Sequence, residues 1–154
     1  MQSSRNHVMN GGGLQSWFYT SIAGINTHSN GVTGGWEQII FRPAPAAVKR
    51  LGHAAASIHT PLGVASVSWR VHASTLWFNV TVPASATGTL TFPLLGVIAQ
   101  NAVIYESDQA VWKGGEFVAG RPGVSAGVVY KWGDHVGLMF SLAAGGYSFA
   151  GVCI

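Results

Sequence analysis

Acid–base catalysis by this protein would depend on its carboxyl side chains. Its 154 residues contain five of them, namely Glu37, Glu106, Asp108, Glu116 and Asp134. Hydrolysis of a glycosidic bond needs two carboxyl groups, one to donate a proton and one to act as base or nucleophile. In a strand, Glu106 and Asp108 would share one face about 6 to 7 Å apart. Because Ser107 and Gln109 are polar and compatible with a turn, this segment could instead be the solvated end of a hairpin. We therefore assign no catalytic residue.

The six histidines lack the spacing of a metal site. His53 and His59 would share a strand face about 20 Å apart, which is too far for one ion. A single cysteine, Cys153, cannot form an intrachain disulfide or a cysteine-based metal site, and we interpret it as a small apolar residue of a final strand. The sequence therefore predicts no metal and no cofactor.

Tryptophan side chains are the remaining candidates for a binding role. An exposed indole ring can stack on the apolar face of a sugar, although most tryptophans in a fold of this size are buried. Trp69 and Trp77 lie in strand-like runs that pack. Trp112 and Trp132 lie beside glycine-containing turns. We therefore predict Trp112 and Trp132 as the sugar-stacking residues.

The composition excludes several classes of protein. Only 8% of the residues are charged, against about 25% in an average soluble protein. The net charge is +3, but the eight basic residues are scattered along the chain, which argues against a nucleic-acid path. No apolar run reaches membrane-spanning length, and residues 1–10 lack the apolar core of a signal peptide. The sequence does not decide the cellular location of the protein: it is either cytoplasmic or secreted as part of a longer precursor.

The apolar pattern predicts one helix followed by many strands. In residues 13–25 the apolar side chains recur at helical spacing, and Gly24 lies where a helix would end. After a polar loop at 26–35, short β-like runs are separated by turn signals. These runs are 36–42, 54–60, 64–71, 76–82, 87–92, 103–106, 109–112, 125–132, 135–142 and 147–152. No helices alternate with them, so we expect an all-β, jelly-roll-like antiparallel β-sandwich with one short N-terminal helix.

Three blocks of the sequence resemble the C-terminal end of the family 78 glycoside hydrolases, the α-L-rhamnosidases. The first block is a Ser-x-Asn-His segment at 4–9 with the helix that follows, including Trp17, Tyr19 and Gly24. The second consists of residues 40–43, 56–63 and 68–69, and the third of 80–84 and 89–93. Later positions keep the pattern: Glu106, Ser107, Gly127, Val128 and residues 145–149.

The resemblance implies a division of the chain and a limit on its activity. Residues 1–25 are similar to the last part of the family's α/α barrel, and 26–154 to its C-terminal β-sandwich domain. The family's catalytic carboxylates lie in the barrel, so the chain is expected to be catalytically silent alone. His7, with Asn6 beside it, matches the Asn-His motif near the family's rhamnose site, which implies a rhamnose-containing glycan as partner.

Two roles remain open for such a chain. In the first role it is a β-sandwich module that supports a missing catalytic barrel or binds a carbohydrate. In the second role it is a structural protein that associates with itself. The second role would use the apolar stripe of the helix, and we expect a homo-oligomer on that basis. The stripe consists of Leu14, Trp17, Phe18 and Ile22.

Overall fold

The computed structural model describes residues 8–27 and 35–152, with side chains from Gly13 onward. Two α-helices, a π-helical segment and twelve strands follow one another along the chain. They are α1 (Val8–Trp17), the π-helical segment (Phe18–Ala23), β1 (Ile25–Thr27), β2 (Gln38–Phe41), α2 (Pro45–Leu51), β3 (His53–Thr60), β4 (Gly63–His72), β5 (Thr75–Val82), β6 (Thr87–Pro93), β7 (Ile104–Glu106), β8 (Gln109–Lys113), β9 (Glu116–Phe117), β10 (Val124–Trp132), β11 (His135–Leu142) and β12 (Gly145–Val152).

The strands form two sheets that face each other. The first sheet has five strands in the order β1-β2-β6-β11-β10, and the second has seven in the order β3-β4-β5-β12-β7-β8-β9. Neighbouring strands are antiparallel except for β2 and β6, which are parallel. The predicted all-β sandwich with an N-terminal helix is confirmed. The predicted strand 135–142 coincides with β11, in which the buried Leu138, Phe140 and Leu142 alternate with partly buried residues.

One apolar core lies between the two sheets. The rings of Phe78 in β5 and Phe92 in β6 are 5.8 Å apart, and those of Phe140 in β11 and Phe149 in β12 are 5.3 Å apart. Each pair joins one sheet to the other, and all four side chains are fully buried. Burial of an aromatic side chain contributes about 2 to 3 kcal/mol, so these contacts hold the two layers together.

The helical region ends where the sequence predicts, but it is not one regular helix. It starts as α1 and widens into the π-helical segment, which ends at Gly24. Gly24 has a φ of 90° and its N–H donates to the carbonyl of Tyr19 at 2.9 Å. A Cβ at this position would lie 2.3 Å from the nitrogen of Pro43. Both the left-handed backbone and the close approach of residues 42–43 therefore require glycine.

The π-helical segment is attached to the sandwich. The indole N–H of the buried Trp69 donates to the carbonyl of Ile22 at 3.1 Å, and the side chain of Ala23 is buried. The Asn26 side-chain amide donates to the carbonyl of Thr20 at 2.9 Å. These contacts fix the end of the helical region to the sandwich.

The sequence analysis did not predict α2. It predicted a strand-like run at 36–42 and no helix after it, although Pro45 occupies the first turn of α2 and Gly52 ends it with a φ of 75°. Two short strands, β1 and β9, were also missed. Within the described part of the chain, no helix is long and apolar enough to cross a membrane.

Candidate functional site

Three ring-bearing residues form a ladder at the tip of the β10–β11 hairpin. The rings of Tyr130 and Trp132 are stacked, with centroids 5.6 Å apart and an angle of 22° between their planes. The ring of His135 is 5.9 Å from that of Trp132. We call Tyr130, Trp132 and His135 the aromatic ladder. Stacked, partly exposed rings of this kind offer a flat apolar surface bordered by polar atoms.

Strand alternation places the ladder on the outer face of the first sheet. Leu138 and Phe140 are fully buried in the core, and Val129 and Gly127 are their partners on β10. Residues that alternate with these point the other way. The ring of Trp132 lies over Gly137, since a Cβ there would be 2.9 Å from two of the ring carbons. Gly137 thus leaves the space that the Trp132 ring occupies.

An arginine that follows a distant strand of the same sheet contacts the aromatic ladder. Arg42 follows β2, which is separated from β10 by β6 and β11. Its Nη1 donates a hydrogen bond to the hydroxyl of Tyr130 at 3.1 Å, and its guanidinium carbon is 5.9 Å from the centre of the Tyr130 ring. Arg42 therefore holds the Tyr130 ring by a hydrogen bond and a cation–π contact, and adds donors to the surface.

The two predicted sugar-stacking tryptophans lie in different environments. Trp132 belongs to the ladder and is half-buried. Trp112 is only 3% exposed, and its indole N–H donates to the carbonyl of Ala99 at 2.8 Å. A ring with no accessible face cannot stack on a sugar, so the expected exposure of Trp112 was wrong. Trp112 lies in β8 and faces the core. The prediction failed because a turn beside a strand does not decide which way a side chain points.

The other predicted positions are also informative. Trp77, which was expected to pack, lies half-buried on the outer face of the second sheet, with the guanidinium carbon of Arg70 5.5 Å from its ring centre. Trp69 is buried as expected. Asn6, His7 and Cys153 lie outside the described residues.

The carboxylate of Glu106 is engaged in a buried ion pair. Glu106 is 1% exposed and pairs with Nε of Arg121. Its Oε1 also accepts hydrogen bonds from the Ser107 hydroxyl at 3.0 Å and from the Ser148 backbone N–H at 3.1 Å. Because β7 ends at Glu106, Asp108 lies in the exposed turn beyond the strand. The two acids therefore do not share a strand face as we had considered.

Tyr147 lies beside this ion pair. Its hydroxyl is 3.0 Å from the carbonyl oxygen of Ala143 and 3.2 Å from that of Gly123. Burial, and to a lesser extent the negative charge of Glu106, raises the pKa of the Tyr147 hydroxyl. Glu106, Arg121 and Tyr147 thus form a polar cluster that ties β7 and β12 to residues 121–124. Its bonding pattern fits a structural role.

A cleft of about 690 Å³ opens beside the hairpin tip. It is lined by residues of α2, including Lys49, and of the β10–β11 hairpin, including Lys131 and His135. Leu94, Leu95 and the other apolar residues of 94–99 also line the cleft. The sequence analysis did not predict this cleft, because the basic residues that line it are far apart along the chain and α2 was not predicted.

The predicted helix stripe is exposed over most of its length. Leu14, Trp17 and Phe18 are 54%, 50% and 48% exposed, and the rings of Trp17 and Phe18 are 5.5 Å apart. Ile22 differs, since it is partly buried against the core. We call Leu14, Trp17 and Phe18 the helix stripe. Among the residues with described positions, no group of three or more potential ligands could hold a metal ion.

These observations define a β-sandwich module whose surface features are an aromatic ladder, a cleft and an exposed apolar helix stripe. A family model described as the bacterial α-L-rhamnosidase C-terminal domain matches residues 24–101, half of the chain. The chain belongs to this family. An α-L-rhamnosidase of Formosa agariphila is 32% identical over 91 residues, which are 59% of this chain and 9% of that protein.

Solved structures share the fold over nearly the whole chain. An α-L-rhamnosidase from Dictyoglumus thermophilum matches 92% of this chain with a TM-score of 0.65 at 20% identity. The α-L-rhamnosidase of Streptomyces avermitilis, solved with L-rhamnose, matches 90% with a TM-score of 0.62 at 19% identity. The chain spans only 13% and 11% of these two proteins, respectively. It thus matches a small part of each of these two proteins.

Proposed function

We propose that this chain is a catalytically silent C-terminal module of the rhamnosidase type, and that its helix stripe packs against a catalytic barrel. The observation that carries the proposal is the exposure of the helix stripe, Leu14, Trp17 and Phe18, beside a sandwich whose own core is complete. Residues 1–25 would then be the remnant of the barrel, and the stripe would be the surface at which that barrel is joined.

The composition of α1 supports a missing partner. Three consecutive glycines, Gly11 to Gly13, occupy the helix, and each is about 1 kcal/mol less favourable than alanine in a helix interior. A helix of this kind gains stability chiefly from tertiary packing. Burial of the three large stripe side chains would contribute about 5 kcal/mol, so a partner surface would offset the cost of the glycines.

The state of the carboxylates supports catalytic silence. A glycosidase needs two carboxyl groups that are free to exchange protons or attack the sugar. Glu106 is buried and bonded to Arg121, and its sequence neighbour Asp108 lies in an exposed turn. We expect no release of the aryl alcohol when purified chain is incubated with an aryl α-L-rhamnoside. Turnover that persists through purification and disappears in Glu106→Gln would contradict this expectation.

Sedimentation and dye binding separate barrel packing from self-association. If the stripe serves a barrel, the isolated chain should be monomeric at tens of micromolar and should bind a hydrophobic dye, and Trp17→Asp should abolish the dye binding. Self-association predicts instead a concentration-dependent oligomer that Trp17→Asp and Phe18→Asp dissociate. Val64→Asp, at a residue 41% exposed in β4, is the matched control. A monomer that binds no dye would contradict both roles.

A second candidate function is the binding of a rhamnose-containing glycan at the aromatic ladder. The observation that favours it is the stacking of Tyr130 on Trp132, with Arg42 bonded to the Tyr130 hydroxyl. A deoxy sugar such as rhamnose has an apolar edge suited to an aromatic ring, and its hydroxyl groups accept hydrogen bonds from a guanidinium.

Titration tests the ladder. Rhamnose oligosaccharides should bind with a dissociation constant of about 1 mM, which corresponds to about 4 kcal/mol. Trp132→Ala should abolish binding, whereas Trp77→Ala, which removes an outward ring from the other sheet, should not. No heat of binding for any neutral glycan, or equal binding by Trp132→Ala, would exclude the ladder as the site.

A further inference from the structure

The cleft beside the ladder combines an apolar surface with two cationic side chains. Leu94, Leu95 and Val136 contribute apolar lining, and Lys49 of α2 and Lys131 of β10 also line the cleft. Both lysines are exposed. A cavity that pairs apolar surface with a few polar groups is typical of a small-molecule or saccharide site rather than of a flat protein interface.

Neither lysine is neutralised by an ion pair within the described residues. There the ion pair that the structure contains is Arg121 with Glu106, and neither residue lines the cleft. One carboxylate, Asp134, also lines the cleft. The two lysines and the single aspartate therefore leave the cleft with a net positive charge. A basic side chain in the last turn of a helix interacts favourably with the negative end of the helix dipole. This effect accounts for a basic residue at Lys49, in the last turn of α2, but does not apply to Lys131.

The cleft and the aromatic ladder are continuous. His135 lines the cleft, and its ring is also in contact with the ring of Trp132. Trp132 itself does not line the cleft, so a chain of sugars that stacks on Trp132 would reach Lys49 and Lys131 by passing over His135. Lysine ammonium groups donate hydrogen bonds and accept none, so the groups that best fit there are anionic oxygens.

We propose that the cleft binds an oligosaccharide that carries carboxylate or sulfate groups. Its sugar rings stack on Trp132 and His135, and its anionic groups contact Lys49 and Lys131. The proposal rests on the glycan-binding role of the ladder and adds the charge class of the ligand. It concerns one end of the sandwich only and is independent of the role of the helix stripe.

Calorimetric titration at low ionic strength tests the charge class. The probes are an oligogalacturonate, a sulfated oligosaccharide of similar length, and a neutral rhamnose oligosaccharide. The anionic probes should bind at least fivefold more tightly than the neutral one, and the difference should shrink at about 0.3 M salt, because exposed charges are screened. Preference for the oligogalacturonate or for the sulfated probe identifies the anionic group.

Variants test the site. Lys49→Gln and Lys131→Gln should each weaken binding of the anionic probes by about two- to fivefold, as expected for exposed ion pairs, and should leave binding of the neutral probe unchanged. Lys113→Gln removes the same charge at an exposed position outside the cleft and should have no effect. Equal losses in all three variants would show attraction by net charge alone and would overturn the proposal.

Two further outcomes separate this proposal from the ladder function. If the neutral probe binds through Trp132 as tightly as the anionic ones, the ladder function stands and the charge class is wrong. If no saccharide binds, both fall. A single-stranded oligonucleotide of matched charge that binds as tightly as the anionic saccharides would also overturn the proposal, because it would show a general polyanion surface.

Discussion

Arg42 and Tyr130 are joined by a hydrogen bond of 3.1 Å across the width of the first sheet. Arg42 directly follows β2, and the strands β6 and β11 lie between β2 and β10, the strand of Tyr130. The bond therefore ties the end of β2 to the β10 edge of the sheet. It also fixes the ring on which Trp132 stacks.

We predict that Tyr130→Phe destabilises the protein by about 0.5 to 1.5 kcal/mol, because the hydroxyl that accepts from Arg42 is lost. Stacking on Trp132 should persist, since the ring remains. Chemical denaturation monitored by tryptophan fluorescence measures the change. Tyr105→Phe is the control, because Tyr105 is exposed and its variant should differ from wild type by less than about 0.5 kcal/mol. Equal losses in both variants would contradict a role for the Arg42 bond.

The ion pair of Glu106 with Arg121 should contribute to stability and not to chemistry. Arg121→Gln leaves the Glu106 carboxylate buried without its cation, and we expect it to lower the free energy of unfolding by about 2 to 4 kcal/mol. Asp108→Asn changes an exposed acid two residues away and should cost less than about 0.5 kcal/mol. Urea denaturation of the two variants beside wild type decides the matter. A loss for Arg121→Gln as small as that for Asp108→Asn would show that the pair is dispensable.

Tyr147 should make stability fall at alkaline pH. Burial raises the pKa of its hydroxyl above the ordinary value of 10.0, so the folded protein holds this proton more tightly than the unfolded chain does. Its stabilising effect is full below pH 10 and is lost as the pH rises through the folded pKa. Denaturation between pH 8 and pH 11 should show a steeper loss for wild type than for Tyr147→Phe. Parallel curves would contradict this assignment.

Two glycines near the helix should respond in opposite ways to alanine. Gly24→Ala places a Cβ 2.3 Å from the Pro43 nitrogen at a φ of 90°, and should cost more than about 2 kcal/mol. Gly13→Ala has no atom within 4 Å of the added Cβ, and should be neutral or stabilise α1 by up to about 1 kcal/mol. Thermal unfolding compares them. A tolerated Gly24→Ala would show that the helix does not end there.

The strand pattern of the sequence was sufficient for most of the sandwich. In β5 the buried residues Leu76, Phe78, Val80 and Val82 alternate with more exposed ones, and such a period of two is a local property that can be recognised in the chain. The end of the helix at Gly24 was equally local, since only glycine suits its backbone there. The short elements β1, β9 and α2 were missed, because two to seven residues carry too little periodicity.

The composition of the candidate site depended on the tertiary structure. Trp112 and Trp132 both lie beside glycine turns, yet one faces the core and the other the outer surface. Their directions differ because strand pairing determines the face of the sheet on which a side chain lies. A shift of one residue in the pairing moves the side chain to the other face. Glu106 could likewise be assigned to an ion pair only once Arg121 had been placed beside it.

The sequence by itself determined the class of fold, the end of the helical region and the helix stripe, because burial, turn chemistry and helical spacing act between residues close in the chain. Only the tertiary structure brought Arg42 to Tyr130 and placed Lys49 and Lys131 in the lining of one cleft. These pairs lie far apart in sequence and meet because of the order of strands in the sheet. That order is set by the packing of the whole core, and no local pattern encodes it.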